Sequence, residues 1–178
     1  MTAINHILSS GISPSDIVIT GDSAGGMLAL QTISNILHTH QSIPSVKIST
    51  PFAGMLLLKP FVYRKHAKGY GTRHGGRTPE SERNWIEPAK APPEWWQGTE
   101  KVTKNVSIVY GDREVFKDGI VTFVDKFKEG VKGEKVDIQI VEEKDGIHIA
   151  SVLEAGRGLE PSEVAKIMAG WVHEKITS

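Results

Sequence analysis

Residues 17–30, IVITGDSAGGMLAL, restrict this chain to few folds. An apolar run, Ile17-Val18-Ile19, leads into Gly21-Asp22-Ser23-Ala24-Gly25-Gly26. Apolar residues then recur at helical spacing in Met27, Leu28, Leu30, Ile33 and Leu37. The pattern reads as strand, sharp turn and helix, with a serine at the turn. A serine hydroxyl is a poor nucleophile until it is positioned and its proton removed. A tight strand-to-helix turn pushes the side chain clear of the backbone, which requires small neighbours. Gly21 and Gly25 supply that room, and Ala24 and Gly26 keep the turn narrow. The helix beginning at the turn points free N–H groups at developing negative charge, with the Ala24 N–H as the first oxyanion donor. The plainer alternative is a Gly-rich turn with Ser23 as a helix N-cap. A phosphate-binding loop is disfavoured, because no Gly-Lys-Ser/Thr ending follows.

The rest of the chain alternates strand-like and helix-like segments. A helix is expected over Ala3–Ser10 and a first strand over Asp16–Thr20, with the helix from Ser23 running to about His40. Met55–Leu58 is a short continuous apolar run, as in a parallel strand covered on both faces, and Val106–Tyr110 repeats it. Asp118–Glu129 reads as a helix with Ile120, Val121, Val124 and Phe127 on one face. Val136–Val141 alternates as a strand. Ser162–Lys175 closes the chain as a helix burying Val164, Ile167, Met168, Trp171 and Val172. Such alternation implies an α/β class with a mostly parallel sheet. Phe61–Lys104 departs from the pattern, being rich in Gly, Pro and Arg and carrying Trp85, Trp95 and Trp96. Residues 1–178 thus read as a single domain, with 61–104 as a cap or lid over the site.

A serine nucleophile needs a base, and the base needs an orienting acid. The strand at Val106–Tyr110 runs into Gly111-Asp112-Arg113-Glu114, and the strand ending at Val141 runs into Lys144-Asp145-Gly146-Ile147-His148. Both loops lie at the C-terminal ends of expected parallel strands, the edge where such sheets bind ligands and where Ser23 also sits. His148 is the histidine so placed, since His6, His66, His74 and His173 lie in the first helix, the cap or the last helix.

Composition removes other classes. Lys plus Arg and Asp plus Glu balance at 21 each, so no basic footprint for nucleic acid or an anionic membrane exists. There is no cysteine, hence no disulfide framework and no thiolate-bound zinc. The seven histidines are scattered; His38 and His40, two apart at a helix end, read as surface residues, and no metal centre is expected. Neither a signal-peptide pattern nor an apolar run of membrane-spanning length occurs, which suggests a cytoplasmic protein.

Gly21-Asp22-Ser23-Ala24-Gly25-Gly26 resembles the nucleophile elbow of hormone-sensitive-lipase-like esterases, within the α/β-hydrolase superfamily. The resemblance extends along the whole chain, which corresponds to the C-terminal half of such an enzyme. Members commonly carry an acid, two residues, a basic residue and an acid after the acid-bearing strand. Glu114-Val115-Phe116-Lys117-Asp118 is similar, with Glu where Asp is commoner, and the fungal steryl acetyl hydrolase-like branch is the one it resembles. That register makes Glu114 the triad acid beside Ser23 and His148. Asp112, nearer the strand end, is the alternative acid, and Asp118 starts the next helix.

The resemblance implies hydrolysis of a small-acyl, apolar-alcohol ester through an acyl-enzyme, without a cofactor. The family's His-Gly-Gly-Gly-type oxyanion segment precedes the elbow. His74-Gly75-Gly76 resembles it but follows the elbow, and is read as coincidental. Activity is therefore expected to be impaired. The strand at Asp16–Thr20 is expected to be an open edge, prone to self-association or complementation by another chain. A truncated gene model, a decayed copy and a working fragment all fit. The rival reading is an inactive hydrolase-like fragment that binds a partner.

Overall fold

The computed structural model describes residues 1–62, 79–148 and 156–177. Its centre is a four-stranded parallel sheet of β1 (Val18–Asp22), β2 (Gly54–Leu58), β3 (Asn105–Gly111) and β4 (Asp137–Glu143), in the order β1-β2-β3-β4. The apolar run of β2 explains its central place. Strand side chains alternate between faces, so Met55 and Leu57 join one buried cluster while Leu56 and Leu58 join another. Neither face of β2 could be left in water.

Helices α1 (Thr2–Ser9), α2 (Ala24–His38), α3 (Arg83–Ile86), α4 (Lys117–Gly130) and α5 (Glu163–Thr177) accompany the sheet. On one face α2 contributes Ala29, Leu30 and Ile33, and α4 contributes Ile120, Phe123, Val124 and Phe127. Trp171 of α5 is buried on the other face with Leu56 and Val109. Ser162 caps α5, its Oγ accepting from the Ala165 N–H at 3.2 Å. The stripe expected on α5 is narrower than its sequence suggests. Val164, Met168 and Val172 pack beside Trp171, but Ile167, at the margin of that stripe, is 44% exposed. Among the described residues no helix is long and apolar enough to cross a membrane.

Of the segment expected to form a cap, residues 63–78, including His66, His74, Gly75 and Gly76, lie outside the described residues. Residues 79–104 carry short turns of helix, and their tryptophans pack on α2 and α4. Trp96 is fully buried, edge-on to Phe123 and Phe127. Trp95 stacks on His38 at 3.7 Å, with its indole N–H donating to Ser34 Oγ at 3.0 Å. His38 is therefore not the surface residue its sequence position suggested. Its ring is half-buried under Trp95 and its Nε2 lies 2.6 Å from the Trp95 carbonyl. His40, also half-buried, meets Trp85 edge-on. Both depart from expectation because a distant segment folds back over the end of α2, which no local pattern announces.

One glycine of the sheet edge yields a direct test. A Cβ on Gly111 would overlap the carbonyl of Gly146, because the loops after β3 and β4 cross there. Gly111→Ala is expected to cost about 1–3 kcal/mol as an overpacked site, lowering the melting temperature by about 2–4 °C per kcal/mol. Gly170 of α5 is exposed, and a Cβ there would meet nothing within 4 Å among the described residues. Gly170→Ala is expected to raise stability by up to about 1 kcal/mol through helix propensity alone. Thermal unfolding of the two variants side by side checks both signs.

Candidate active site

All four strands are parallel, so their C-terminal ends share one edge, where the candidate residues converge. Ser23 follows β1 and precedes α2. Its φ of 53° and ψ of −113° lie where non-glycine residues are rarely found. Such a conformation costs on the order of 1–3 kcal/mol. Backbone bonds over-determine the strained residue: its N–H donates to the Leu58 carbonyl at 2.9 Å, and its own carbonyl accepts from Phe61 at 2.9 Å and Met27 at 3.2 Å. Ser23 occupies the N-cap position of α2 without any capping hydrogen bond from its side chain. The hydroxyl is turned elsewhere.

It is turned to His148. Ser23 Oγ lies 2.8 Å from His148 Nε2, and His148 Nδ1 lies 2.6 Å from Glu114 Oε1. A carboxylate only accepts, so Nδ1 carries the ring proton and donates it to Glu114. Nε2 is then left as the acceptor for the serine hydroxyl. The Glu114 side chain is fully buried, whereas His148 retains 26% exposure. Phe116 meets the imidazole edge-on at 5.1 Å and Phe61 meets Phe116 likewise, so two aromatic rings pack beside the histidine.

Asp112 does not reach the histidine in this arrangement. Its N–H donates to the Glu143 carbonyl at 3.0 Å, and its buried Oδ1 has no partner among the described residues. Arg113 N–H donates to the Gly146 carbonyl at 3.1 Å, and the Arg113 guanidinium pairs with Asp145. The acid loop and the histidine loop are thus bound edge to edge, and this sets the Glu114–His148 separation.

At the turn, the small residues have unequal duties. A Cβ on Gly21 would overlap the Gly25 carbonyl, and one on Gly26 would press on Pro60. A Cβ on Gly25 would meet nothing within 4 Å among the described residues, so the room expected from Gly25 is open space rather than a close approach. Ala24 is exposed and opens α2, where first-turn N–H groups have no partner within the helix. Asp22 ends the edge strand β1, and its Oδ1 is buried without a partner among the described residues. Two residues at this edge went unnoticed in the sequence. Lys59, after β2, is a buried cation, and it pairs with Glu143 at the end of β4. No local pattern marks such a pair, because its members are brought together across β3. Among the described residues no group of three or more His, Cys, Asp or Glu side chains is placed to hold a metal ion.

No protein-family model matches this chain. No curated protein matches it either. Solved structures do. An esterase/lipase from an uncultured bacterium superposes with a TM-score of 0.67 at 17% identity, covering 99% of this chain and 58% of its own. A hormone-sensitive lipase from a metagenome library gives 0.62 at 21% identity, with 98% and 58% covered. Brefeldin A esterase, a bacterial homologue of human hormone-sensitive lipase, gives 0.59 at 16% identity, with 91% and 48% covered. The chain spans about half to three fifths of the length of these structures. They are of the kind that the elbow sequence resembles. This chain has the α/β-hydrolase fold, over about half to three fifths of the length of those structures.

Proposed function

We propose that this chain is the nucleophile-bearing part of a serine carboxylic-ester hydrolase that works through an acyl-enzyme. The observation that carries the reading is the Ser23–His148–Glu114 relay, at 2.8 and 2.6 Å, on a serine held at positive φ. In the first half-reaction Ser23 Oγ attacks the ester carbonyl while its proton passes to His148 Nε2. Glu114 orients the ring and stabilises the imidazolium that forms. The tetrahedral oxyanion is met by the Ala24 N–H, aided by the Gly25–Gly26 turn and the N-terminus of α2. His148 then protonates the departing alkoxide. In the second half-reaction water, deprotonated by His148, attacks the acyl-serine, and the proton passes from His148 to Ser23 Oγ as the acid departs. Serine chemistry of this kind needs no cofactor.

The family resemblance suggests a small acyl group and an apolar alcohol. The surface beside the relay is consistent with this: Val115, next to Glu114, is 76% exposed, and Ile147, next to His148, is 52% exposed. Such residues offer an apolar alcohol a place to lie at the mouth of the site.

Fluorophosphonate labelling tests the reading. Ser23 is expected to be the only serine modified, because the His148 imidazole 2.8 Å from its Oγ distinguishes it from Ser9, Ser10 and Ser49. Ser23→Ala should abolish labelling, and labelling that persists in that variant sinks the assignment. A second reading, an inactive hydrolase-like module, is favoured by one specific observation. Among the described residues β1 forms an edge of the sheet, and the oxyanion donors named above all come from the single turn that opens α2. An intact fold with an unreactive Ser23 is the result that reading expects.

A further inference from the structure

We propose that Lys59 is a positioning residue that ties the nucleophile turn to the histidine loop and so sets the Ser23–His148 distance; the inference rests on the hydrolase reading above. Lysine is almost never fully buried without a partner, yet Lys59 is only 4% exposed. Its φ of 44° is one that side-chain-bearing residues seldom adopt. The side chain has two partners, one at the end of β4 and one in the loop that follows it. Nζ donates to the Ile147 carbonyl at 2.6 Å and pairs with Glu143 Oε2 at 2.9 Å.

Ile147 is the residue before His148, so holding its carbonyl fixes the peptide plane that enters the histidine. Glu143 is itself anchored, since its carbonyl accepts from both Asp112 and Gly146. The other end of the tie is the serine. Leu58 accepts from the Ser23 N–H and Phe61 donates to the Ser23 carbonyl, so residues 58–61 grip the nucleophile from both sides. Lys59 lies inside that grip, and its own N–H donates to Val109 of β3 at 2.7 Å. One short segment therefore holds Ser23 by its backbone and His148 through a single ammonium group. The charge matters as well as the reach. A charged donor makes a short, strong hydrogen bond to a carbonyl, and burial protects it from competition by water.

The test uses protein with ¹⁵N-labelled histidine and two readouts: the low-field Nδ1–H proton of His148, assigned by its loss in His148→Gln, and the rate of Ser23 phosphonylation by a fluorophosphonate. Lys59→Met is expected to broaden or abolish the low-field proton and to slow phosphonylation by about ten- to a hundredfold, the scale of a displacement near 1 Å. Lys59→Arg, which keeps a buried cation, should recover much of both. Because Lys59→Met leaves Glu143 buried and unpaired, Lys59→Met/Glu143→Met separates stability from positioning. Replacing both members of a buried pair by apolar groups is often neutral for stability. The double variant should melt near wild type yet keep the slow rate and the lost proton. It also carries the test if the single variant fails to fold. A double variant with wild-type rate and resonance overturns the proposal, since the pair would then be purely structural. A wild-type Ser23 that never reacts, in a protein whose His148 proton is present and is lost in the Lys59 variants, overturns the hydrolase reading and leaves the anchoring role supported.

Discussion

Glu114→Gln should lower hydrolysis of short-chain nitrophenyl esters on the order of 10³–10⁴-fold, while Asp112→Asn stays within a small factor of wild type. The difference follows from which carboxylate meets the ring. Glu114 Oε1 accepts from His148 Nδ1 at 2.6 Å, inside a fully buried side chain. A glutamine amide of the same shape removes the charge that stabilises the imidazolium. In its other rotamer it presents an NH₂ to Nδ1, which forces the proton onto Nε2. Nε2 then cannot accept from Ser23, 2.8 Å away. Asp112 donates through its backbone to Glu143 and makes no contact with the ring, so its amide disturbs none of this. Steady-state rates of both variants, with circular dichroism to confirm folding, check the ranking. If Asp112→Asn is the more damaging, the acid register is off by two residues.

A polypeptide of these 178 residues alone should turn over esters slowly and self-associate. Fusing it to, or mixing it with, the strand-bearing N-terminal portion of a hormone-sensitive-lipase-like esterase should raise turnover by about 10²–10³, the usual contribution of an oxyanion donor. Two features point the same way. On the hydrolase reading proposed above, the tetrahedral oxyanion would rely mainly on the Ala24 N–H and the N-terminus of α2. Among the described residues β1 is also an edge strand, carrying Val18 and Ile19, an invitation to pairing by another chain. The buried Asp22 Oδ1 at the end of that strand has no partner among the described residues, and such an acceptor gains from a donor supplied across the edge. Light scattering and ester turnover, for the chain alone and for the completed assembly, decide the matter. A monodisperse, fully active chain would show that oxyanion donors come from another segment, with Gly75 and Gly76 the first to replace.

Much of the fold and the members of the relay are legible before any coordinates. Strands and helices alternate visibly because each is encoded locally: Met55–Leu58 by a continuous apolar run, α4 by the spacing of Ile120, Val124 and Phe127, the elbow by small residues around Ser23. In a parallel sheet the C-terminal ends share one edge, so chain order alone brings Ser23, the acid loop and His148 together. What needed tertiary structure was every choice between near neighbours or distant partners. Glu114 and Asp112 are two residues apart, and the one that reaches His148 depends on the crossing of two loops at Gly111 and Gly146. Ile167 fits the helical period of α5 yet is 44% exposed, while Val164, Met168 and Val172 pack beside Trp171. Lys59 and Glu143 are 84 positions apart in the chain, an ordinary lysine and an ordinary glutamate until β2 and β4 bring them to 2.9 Å. Periodicity and spacing report what a residue does to its own element; only packing between elements decides which side chains meet.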